Sequence, residues 1–497
     1  MNTSTGLVAR RDFLRTTMAA GAAACWPLST VSAQATTQPA KEKLVGIQVG
    51  AVSFVDEGVD AVLDVFQQNA IDTIFLATFT YGRGIAGRQV PGQPLPDHGK
   101  QEYDEKTFHG GNYATPHAQF YEKTVLKQTR APDHGDVDIV EMVLPKAKAR
   151  GMKVYCWYED QWRDDVPNIE NLQEVDVRGR RTSTMCPLDP DYREFLLGLT
   201  RDYCTSYDID GVMWASERSG PLSYALTRGG EPSRITCFCE HHEKAARERG
   251  IDVKRAKAGY AKLSEFCSSA AAGKRPTDGY YVQFWRLLID YPEILAWEKL
   301  WTDGKHAIYG DIHRAAKDAK RNVQVGFHIW HANSFSPFVR AEQDYAAFAK
   351  VADFLKIVVY NNCGGPRYAR YIDQAGATMW RDVPKGELLA LHNHLLNYDE
   401  KGYAELPKAG MSPEYVARET KRAIDGVAGT KCKIYSGIDI DIPTEPGQKK
   451  TTPQDVHAST TAAFQAGADG VIFSRKYSEM RLANLAAGGR AAKEVLG

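Results

Sequence analysis

The sequence has no charge imbalance. Lys+Arg and Asp+Glu each number 62 in 497 residues, leaving a formal net charge of zero. That excludes the basic footprint of a nucleic-acid binder and the acidic tail of a solvating chain. After the first few dozen residues no apolar run approaches the ~18 residues a membrane-spanning helix needs. Cysteine is sparse, at nine in the whole chain, which excludes a small disulfide-stapled scaffold. There is no internal repeat. No Gly-rich phosphate loop follows the first strand-like run, and no HExxH- or HxxE-type motif marks a local metal site. What is present is 43% hydrophobic and 25% charged residues, enough for a large core. Aromatic content is 10%, with 9 Trp and 24 Tyr, which suits stacking on sugar rings as well as ordinary packing.

The N-terminus reads as an address. Arg10-Arg11-Asp12-Phe13-Leu14-Arg15 precedes a short apolar stretch, Met18 to Trp26, and then Ala33-Gln34-Ala35. This is the pattern of a twin-arginine signal peptide over 1–35, cut after about Ala35, with a linker over 36–43. It predicts a periplasmic or secreted protein whose partner on the way out is the twin-arginine export machinery. Cys25, preceded by three alanines, offers lipid attachment as the alternative. Among the remaining cysteines, Cys156 and Cys432 sit in apolar strand-like runs and are expected as buried free thiols.

From residue 44 onward, eight short β-branched runs recur. They are Leu44–Val49, Thr73–Ala77, Lys153–Trp157, Gly211–Trp214, Val323–Ile329, Phe354–Tyr360, Lys433–Ile438 and Gly470–Phe473. Continuously apolar strands are buried on both faces, which predicts a parallel sheet. Helical segments precede several of them: Val137–Arg150 before Gly151, Asp191–Tyr207, Pro413–Val427 and His457–Ala466. The alternation predicts an α/β fold, a (β/α)8 TIM barrel over 44–497 with long βα-loop insertions; a doubly wound sheet is the alternative. The largest insertion is expected at about 218–321, with helices of its own at Val282–Ile289 and Glu293–Ala316.

In such a barrel the C-terminal strand ends meet at one mouth. Here those ends are polar or aromatic: Trp157-Tyr158-Glu159, Trp214-Ala215-Ser216-Glu217-Arg218, His328-Ile329-Trp330-His331, Tyr360-Asn361-Asn362, Asp439-Ile440-Asp441 and Ser474-Arg475-Lys476-Tyr477. Glu217 beside Trp214 is the expected general acid, because an apolar wall raises a carboxyl pKa. Asp439 and Asp441 are its expected partners, since alternate residues of a strand face one side. Glu159 is a third carboxylate. Trp157, Trp214, Arg218, Trp330, His328, His331, Tyr360 and Asn361 are expected to contact substrate. Phe108-His109-Gly110-Gly111-Asn112-Tyr113 is expected to line a subsite, with His109 its polar contact.

By strand order over most of the chain, and most closely from Cys186-Pro187-Leu188-Asp189-Pro190-Asp191-Tyr192-Arg193 through Asp210-Gly211 to Glu217-Arg218, the sequence resembles bacterial glycoside hydrolases of the TIM-barrel superfamily, distantly those of clan A such as β-galactosidases. The resemblance implies an acid/base Glu after the fourth strand, matched by Glu217, although Ser216 stands where that pattern has Asn. It implies a nucleophilic Glu ending the seventh strand, where this chain has Asp439 and Asp441. It also implies a Tyr ending the sixth, matched by Tyr360.

The resulting expectation is an exported glycosidase acting on a carbohydrate by carboxylate acid/base catalysis, without a catalytic metal. One alternative is a metal-dependent sugar isomerase, epimerase or lyase, with Glu159, Glu217, His328 or His331 and Asp439 around a divalent ion. Another is a non-catalytic carbohydrate-binding barrel. Separately, Cys237-Phe238-Cys239-Glu240-His241-His242 carries thiolate and imidazole at a spacing that could ligate a structural zinc through Cys237, Cys239 and His242. The sequence does not reveal a fourth ligand. A loosely comparable Cys-rich zinc site occurs in some clan-A β-galactosidases.

Overall fold

The structure, a computed structural model, describes residues 43–80, 87–104, 109–160, 165–227 and 235–497. The expected export signal and Phe108 lie outside them. Eight parallel strands form the centre: β1 (Leu44–Val49), β2 (Thr73–Thr80), β3 (Lys153–Glu159), β4 (Gly211–Ala215), β5 (Gln324–Ile329), β6 (Phe354–Val358), β7 (Lys433–Asp439) and β8 (Gly470–Ser474). Each pairs in parallel with its chain neighbour. β1 pairs with both β8 (Leu44 with Gly470) and β2 (Gly46 with Thr73), so the sheet closes into a (β/α)8 barrel. A two-residue strand, Gly111–Asn112, adds antiparallel to the end of β2.

Side-chain alternation sorts two cores. Phe75, Ala77, Tyr155, Trp157, Met213, Ala215, Phe354, Tyr435 and Ile472 point inward and pack together. Large rings there face glycines. A Cβ on Gly211 would lie 2.5 Å from the Tyr155 ring, and one on Gly326 would lie 2.2 Å from Phe354. The ring fills the volume its neighbour gives up, so the barrel is packed rather than hollow. The opposite parity, including Val154, Cys156, Tyr158, Val212, Trp214, Phe327 and Ile357, packs outward against the helices.

Those helices start where the sequence provides caps. α1 (Val59–Gln68) follows β1. α2 (Ile139–Ala149) begins at Asp138, whose carboxylate accepts from the amides of Val140 and Glu141. α3 (Pro190–Ser206) begins at Asp189, with Pro190 in the first turn. α4 (Glu293–Ala319) leads into β5 and α5 (Gly364–Ala375) follows β6. α6 (Pro413–Gly426) begins at Ser412. α7 (Pro453–Gln465) begins with a capping box of Thr452 and Asp455. α8 (Leu482–Leu496) closes the ring. A side-chain acceptor at the cap and a proline in the first turn satisfy or remove the amides a helix start leaves unpaired.

The β4–β5 connection holds helices Pro221–Thr227, Glu240–Glu248, Val253–Ala271 and Tyr280–Asp290 around a satellite core that includes Tyr260, Leu263, Phe284 and Trp297. α4 joins the two cores. Trp297 and Leu300 belong to the satellite, while Ile308, Tyr309 and Ile312 belong to the barrel. No helix among the described residues is long and apolar enough to cross a membrane.

Candidate active site

A cavity of about 230 Å³ opens at the C-terminal ends of the strands. Its wall changes chemistry with strand position. β3 supplies Trp157 and Glu159, and the turn after β4 supplies Glu217. β5 and its loop supply His328, Trp330 and His331. β6 and α5 supply Tyr360, Arg367, Arg370, Tyr371 and Gln374, Arg475 follows β8, and Gln48 rises from β1.

A buried lysine organises the floor. Lys356 Nζ donates to Gln48 Oε1 at 2.8 Å, Tyr360 Oη at 2.7 Å and His328 Nδ1 at 3.3 Å, which gives each of the three ammonium hydrogens an acceptor. With Nδ1 accepting, the His328 proton sits on Nε2, which donates to Glu217 Oε1 at 3.1 Å. Burial, and then the charge of Lys356, bring the His328 pKa down to about 4 against the pull of Glu217. The imidazole is therefore neutral at pH 7. Burial also lowers Lys356 to about 7, against the attraction of Glu217 and Glu159.

Glu217 is the most accessible member of this network. Its side chain keeps 47% of its surface open, and that surface faces the cavity it lines. Burial alone would raise its pKa. The His328 hydrogen bond and the positive field of Arg367 and Lys356 outweigh that and hold it down to about 2. Glu217 is thus a carboxylate at neutral pH. The expected opposite shift fails because Trp214 is not beside it. In the β3–β4 register Trp157 pairs with Met213 and Tyr158 with Trp214, so Trp214 has the outward parity. It packs on Tyr309 in the helix layer, ring centroids 4.9 Å apart. Trp157 has the inward parity and forms the aromatic wall. Its indole N–H is buried with no protein acceptor, a donor available to a ligand hydroxyl.

The other expected residues divide between the cavity and the scaffold. His331 lines the cavity, its Nδ1 accepting from Arg367 Nη1 at 3.2 Å and its Nε2 donating to Tyr415 Oη at 3.1 Å. Tyr360 and Glu159 line it as expected. Arg218 does not. It turns away from Glu217 to pair with Glu174 at 2.7 Å and to donate to the Met185 carbonyl. Asp439 is fully buried outside the cavity wall, accepting from the amides of Asn362 (3.3 Å) and Cys363 (2.8 Å) at the start of α5. Asp441 lies past the end of β7, where alternation no longer holds. Its backbone is left-handed, with φ 55°, and its carboxylate binds Arg481 and Asn484. Asn361 is buried against Met411 and Ser459. His109 is half exposed and paired with Asp133 at 2.9 Å, and Gly111–Asn112 is sheet edge rather than subsite.

Sequence reasoning missed Lys356, Gln48, Arg367, Arg370, Tyr371 and Gln374. A signal existed for the first two, each a single polar residue of inward parity inside an apolar strand. For the others it was the spacing 367, 370, 371, 374, one face of a helix that follows a strand end.

A second cluster lies beside the cavity. Cys186, Cys237, Cys239 and His242 bring their ligand atoms within 4.8 Å of one another. Cys186 Sγ and Cys239 Sγ are 3.4 Å apart, and His242 Nδ1 is 3.3 Å and 3.6 Å from them. Three thiols and an imidazole so spaced fit a tetrahedral zinc, and Cys186 is the fourth candidate ligand, which the sequence concealed. All eight described cysteines are free and buried. Among the described residues this is the only group of three or more His, Cys, Asp or Glu whose ligand atoms could share one ion; the ring of cavity residues that a metal-dependent isomerase would need is not gathered.

No family model and no curated protein matches the sequence. Solved structures do match in fold. A polyextremophilic β-galactosidase from the Antarctic haloarchaeon Halorubrum lacusprofundi aligns at a TM-score of 0.51 with 13% identity, over 91% of this chain and 58% of its own. The PgaB (BpsB) glycoside hydrolase domain from Bordetella bronchiseptica aligns at 0.48 with 11% identity, over 92% and 99%. A β-galactosidase from the psychrophilic Marinomonas ef1 aligns at 0.49 with 10% identity, over 91% and 59%. This chain therefore spans about three fifths of the length of those β-galactosidases. The class the likeness defines is the (β/α)8 barrel.

Proposed function

We propose that this chain is an exported glycoside hydrolase that cleaves a sugar–oxygen bond with Glu217 and Glu159. The observation that carries the reading is the meeting of two carboxylates from adjacent strand ends in one cavity, beside the indole walls of Trp157 and Trp330. Solved barrels of the same fold that bear glycosidase names support it. The export part of the reading rests on the twin-arginine pattern alone.

The electrostatics assign one role: Glu217, held ionised, acts on the anomeric carbon directly or through a water. That leaves Glu159, the other carboxyl in the cavity, to hand a proton to the leaving oxygen. The anomeric C–O bond breaks, the oxygen of water becomes the new anomeric hydroxyl, and the departing sugar or alcohol keeps the transferred proton. His328 orients Glu217, with Lys356 fixing the tautomer of His328 from below. A zinc held by Cys186, Cys237, Cys239 and His242 would clamp the loops after β3 and β4 and take no part in the reaction.

The test is a panel of aryl glycosides given to the purified protein, with and without a chelator. Hydrolysis should survive chelation under native conditions. Glu217→Gln should lower kcat by about 10²–10⁴-fold. A panel with no cleaved member, or unchanged turnover in Glu217→Gln, would end the reading.

A further inference from the structure

The charges of the cavity are segregated. Both carboxylates, Glu159 and Glu217, come from the β3–β4 sector, and the three guanidiniums, Arg367, Arg370 and Arg475, from the β6–β8 sector, with the neutral histidines of β5 between them. The arginines differ in what holds them. Arg475 is bound by Glu479, with Nε to Oε2 at 3.0 Å. Arg370 donates at 3.0 Å to the exposed Glu445. Among the described residues Arg367 has no carboxylate in ion-pair contact. Its one side-chain hydrogen bond there is to His331 Nδ1, and its guanidinium lies 5.8 Å from the centre of the Tyr360 ring.

Arg367 is therefore a half-buried permanent cation with most of its donor fork unused, facing a polar cavity. Arg370 stands one turn along the same face of α5, also lining the cavity. A helix start held by buried Asp439 fixes where both point. A neutral sugar needs no such fork, since its hydroxyls are served by amides, indoles and single hydrogen bonds. A planar fork with free paired donors matches the two oxygens of an anionic group.

We infer that the cavity selects a sugar carrying an anionic substituent, a carboxylate or a phosphate or sulfate ester. That group is seated on Arg367 and Arg370, and the bond to be cleaved lies toward Glu217 and Glu159. The inference rests on the glycosidase reading for its direction, but its test does not depend on turnover. Carboxylates repel Glu217, so the sector opposite the catalytic pair is the place where an anion is tolerated.

The experiment is calorimetric titration of the full-length protein with matched pairs: glucose against glucuronate, galactose against galacturonate, and glucose against its 6-phosphate and 6-sulfate. At least one anionic member should bind about tenfold or more tightly than its neutral parent, and added salt should narrow the gap. The uronate and ester arms identify which anion is meant. Arg367→Gln should reduce that preference to near unity. Arg367→Lys, which keeps the charge without the fork, should restore part of it. Arg370→Gln at the exposed rim, where folding is not at stake, should reduce it by less.

Neutral and anionic sugars binding equally would overturn the inference, as would binding of neither, or a preference that survives Arg367→Gln in a protein with unchanged thermal unfolding. Cleavage of neutral aryl glycosides that depends on Glu217, with no anionic preference, would overturn this inference while leaving the glycosidase reading standing. Anion selectivity that depends on Arg367, without hydrolysis, would do the reverse.

Discussion

The same two strand ends feed two clusters of opposite character. The end of β3 gives Glu159 to the cavity, and the loop after it gives Cys186 to the thiol cluster. The connection after β4 gives Glu217 to the first and Cys237, Cys239 and His242 to the second. The division falls between adjacent residues: Glu217 faces the cavity, and Arg218 faces Glu174 and lies over the Trp301 ring, 5.6 Å from its centre. One cluster is open and keeps polar groups with spare capacity, such as the Trp157 N–H and the Arg367 fork. The other is closed and packed with Trp301, its thiols and His242 Nδ1 turned on one another, with only His242 Nε2 among its ligand side chains left without a partner. A site meant for a ligand leaves hydrogen-bonding capacity for it. A site meant for the fold turns most of its polar atoms on one another, because an unmet buried polar group costs stability with no return.

The largest effect should come from breaking the closed cluster. The purified protein should carry one zinc per chain by mass spectrometry. Chelation under mildly denaturing conditions, or Cys239→Ser, should remove it and cost several kcal/mol, seen as a lower and broader thermal transition. If metal is present at unit occupancy and its removal leaves the transition unmoved, the closed cluster is not what holds these loops.

The floor of the open cluster should show itself through pH. Lys356 has a folded pKa of about 7 against a usual value of 10.5. Between those values the unfolded chain binds more protons at this site than the folded one, so its contribution to stability rises with pH across about 7 to 10.5. Lys356→Met should flatten that rise relative to the unchanged protein when urea unfolding is compared at pH 7 and pH 9.5. His328, lowered to about 4 from 6.5, makes stability rise with pH in the window between those two values by the same argument. An identical pH slope in the Met variant would place the lysine's charge elsewhere.

The smallest effects separate Asp439, which ends β7, from Asp441 just beyond it. Asp439 satisfies two amides at the start of α5. Asp439→Asn should cost about 1–3 kcal/mol, by the penalty for disturbing buried paired groups, and should weaken substrate binding by loosening the helix that carries Arg367. Asp441, largely buried and bound by Arg481 and Asn484, should also cost about 1–3 kcal/mol as Asp441→Ala, but should leave kcat/KM within about twofold because it does not line the cavity. A larger loss of turnover for Asp441→Ala than for Asp439→Asn would invert the comparison.

Much of the barrel was legible. The eight apolar runs became the eight strands, with β1 at the expected residues and the others differing by one to three at their ends, because a parallel strand buried on both faces is largely apolar along its length. Glu159, Glu217, His328, His331, Tyr360 and Trp157 were found by the rule that strand ends converge. What failed was parity and reach. Trp214 is one residue out of phase with Trp157 across the β3–β4 ladder, and a one-residue offset moves a side chain from the mouth of a barrel to its outer core.

The sequence by itself determined the continuously apolar strands, the capped helices between them and the residue types at the mouth, because these are local consequences of backbone geometry and burial. Only the tertiary structure decided which of those residues meet. Lys356 was a lone charge in a strand until barrel closure put Gln48, more than 300 positions away, against it. Cys186 was an isolated thiol until the loops after β3 and β4 folded together. Glu217 changed from an expected acid to a carboxylate because its pKa depends on the His328 N–H brought in by β5 and the cations brought in by β6 and α5. Charge acts through space, and the distances in space are set by the fold.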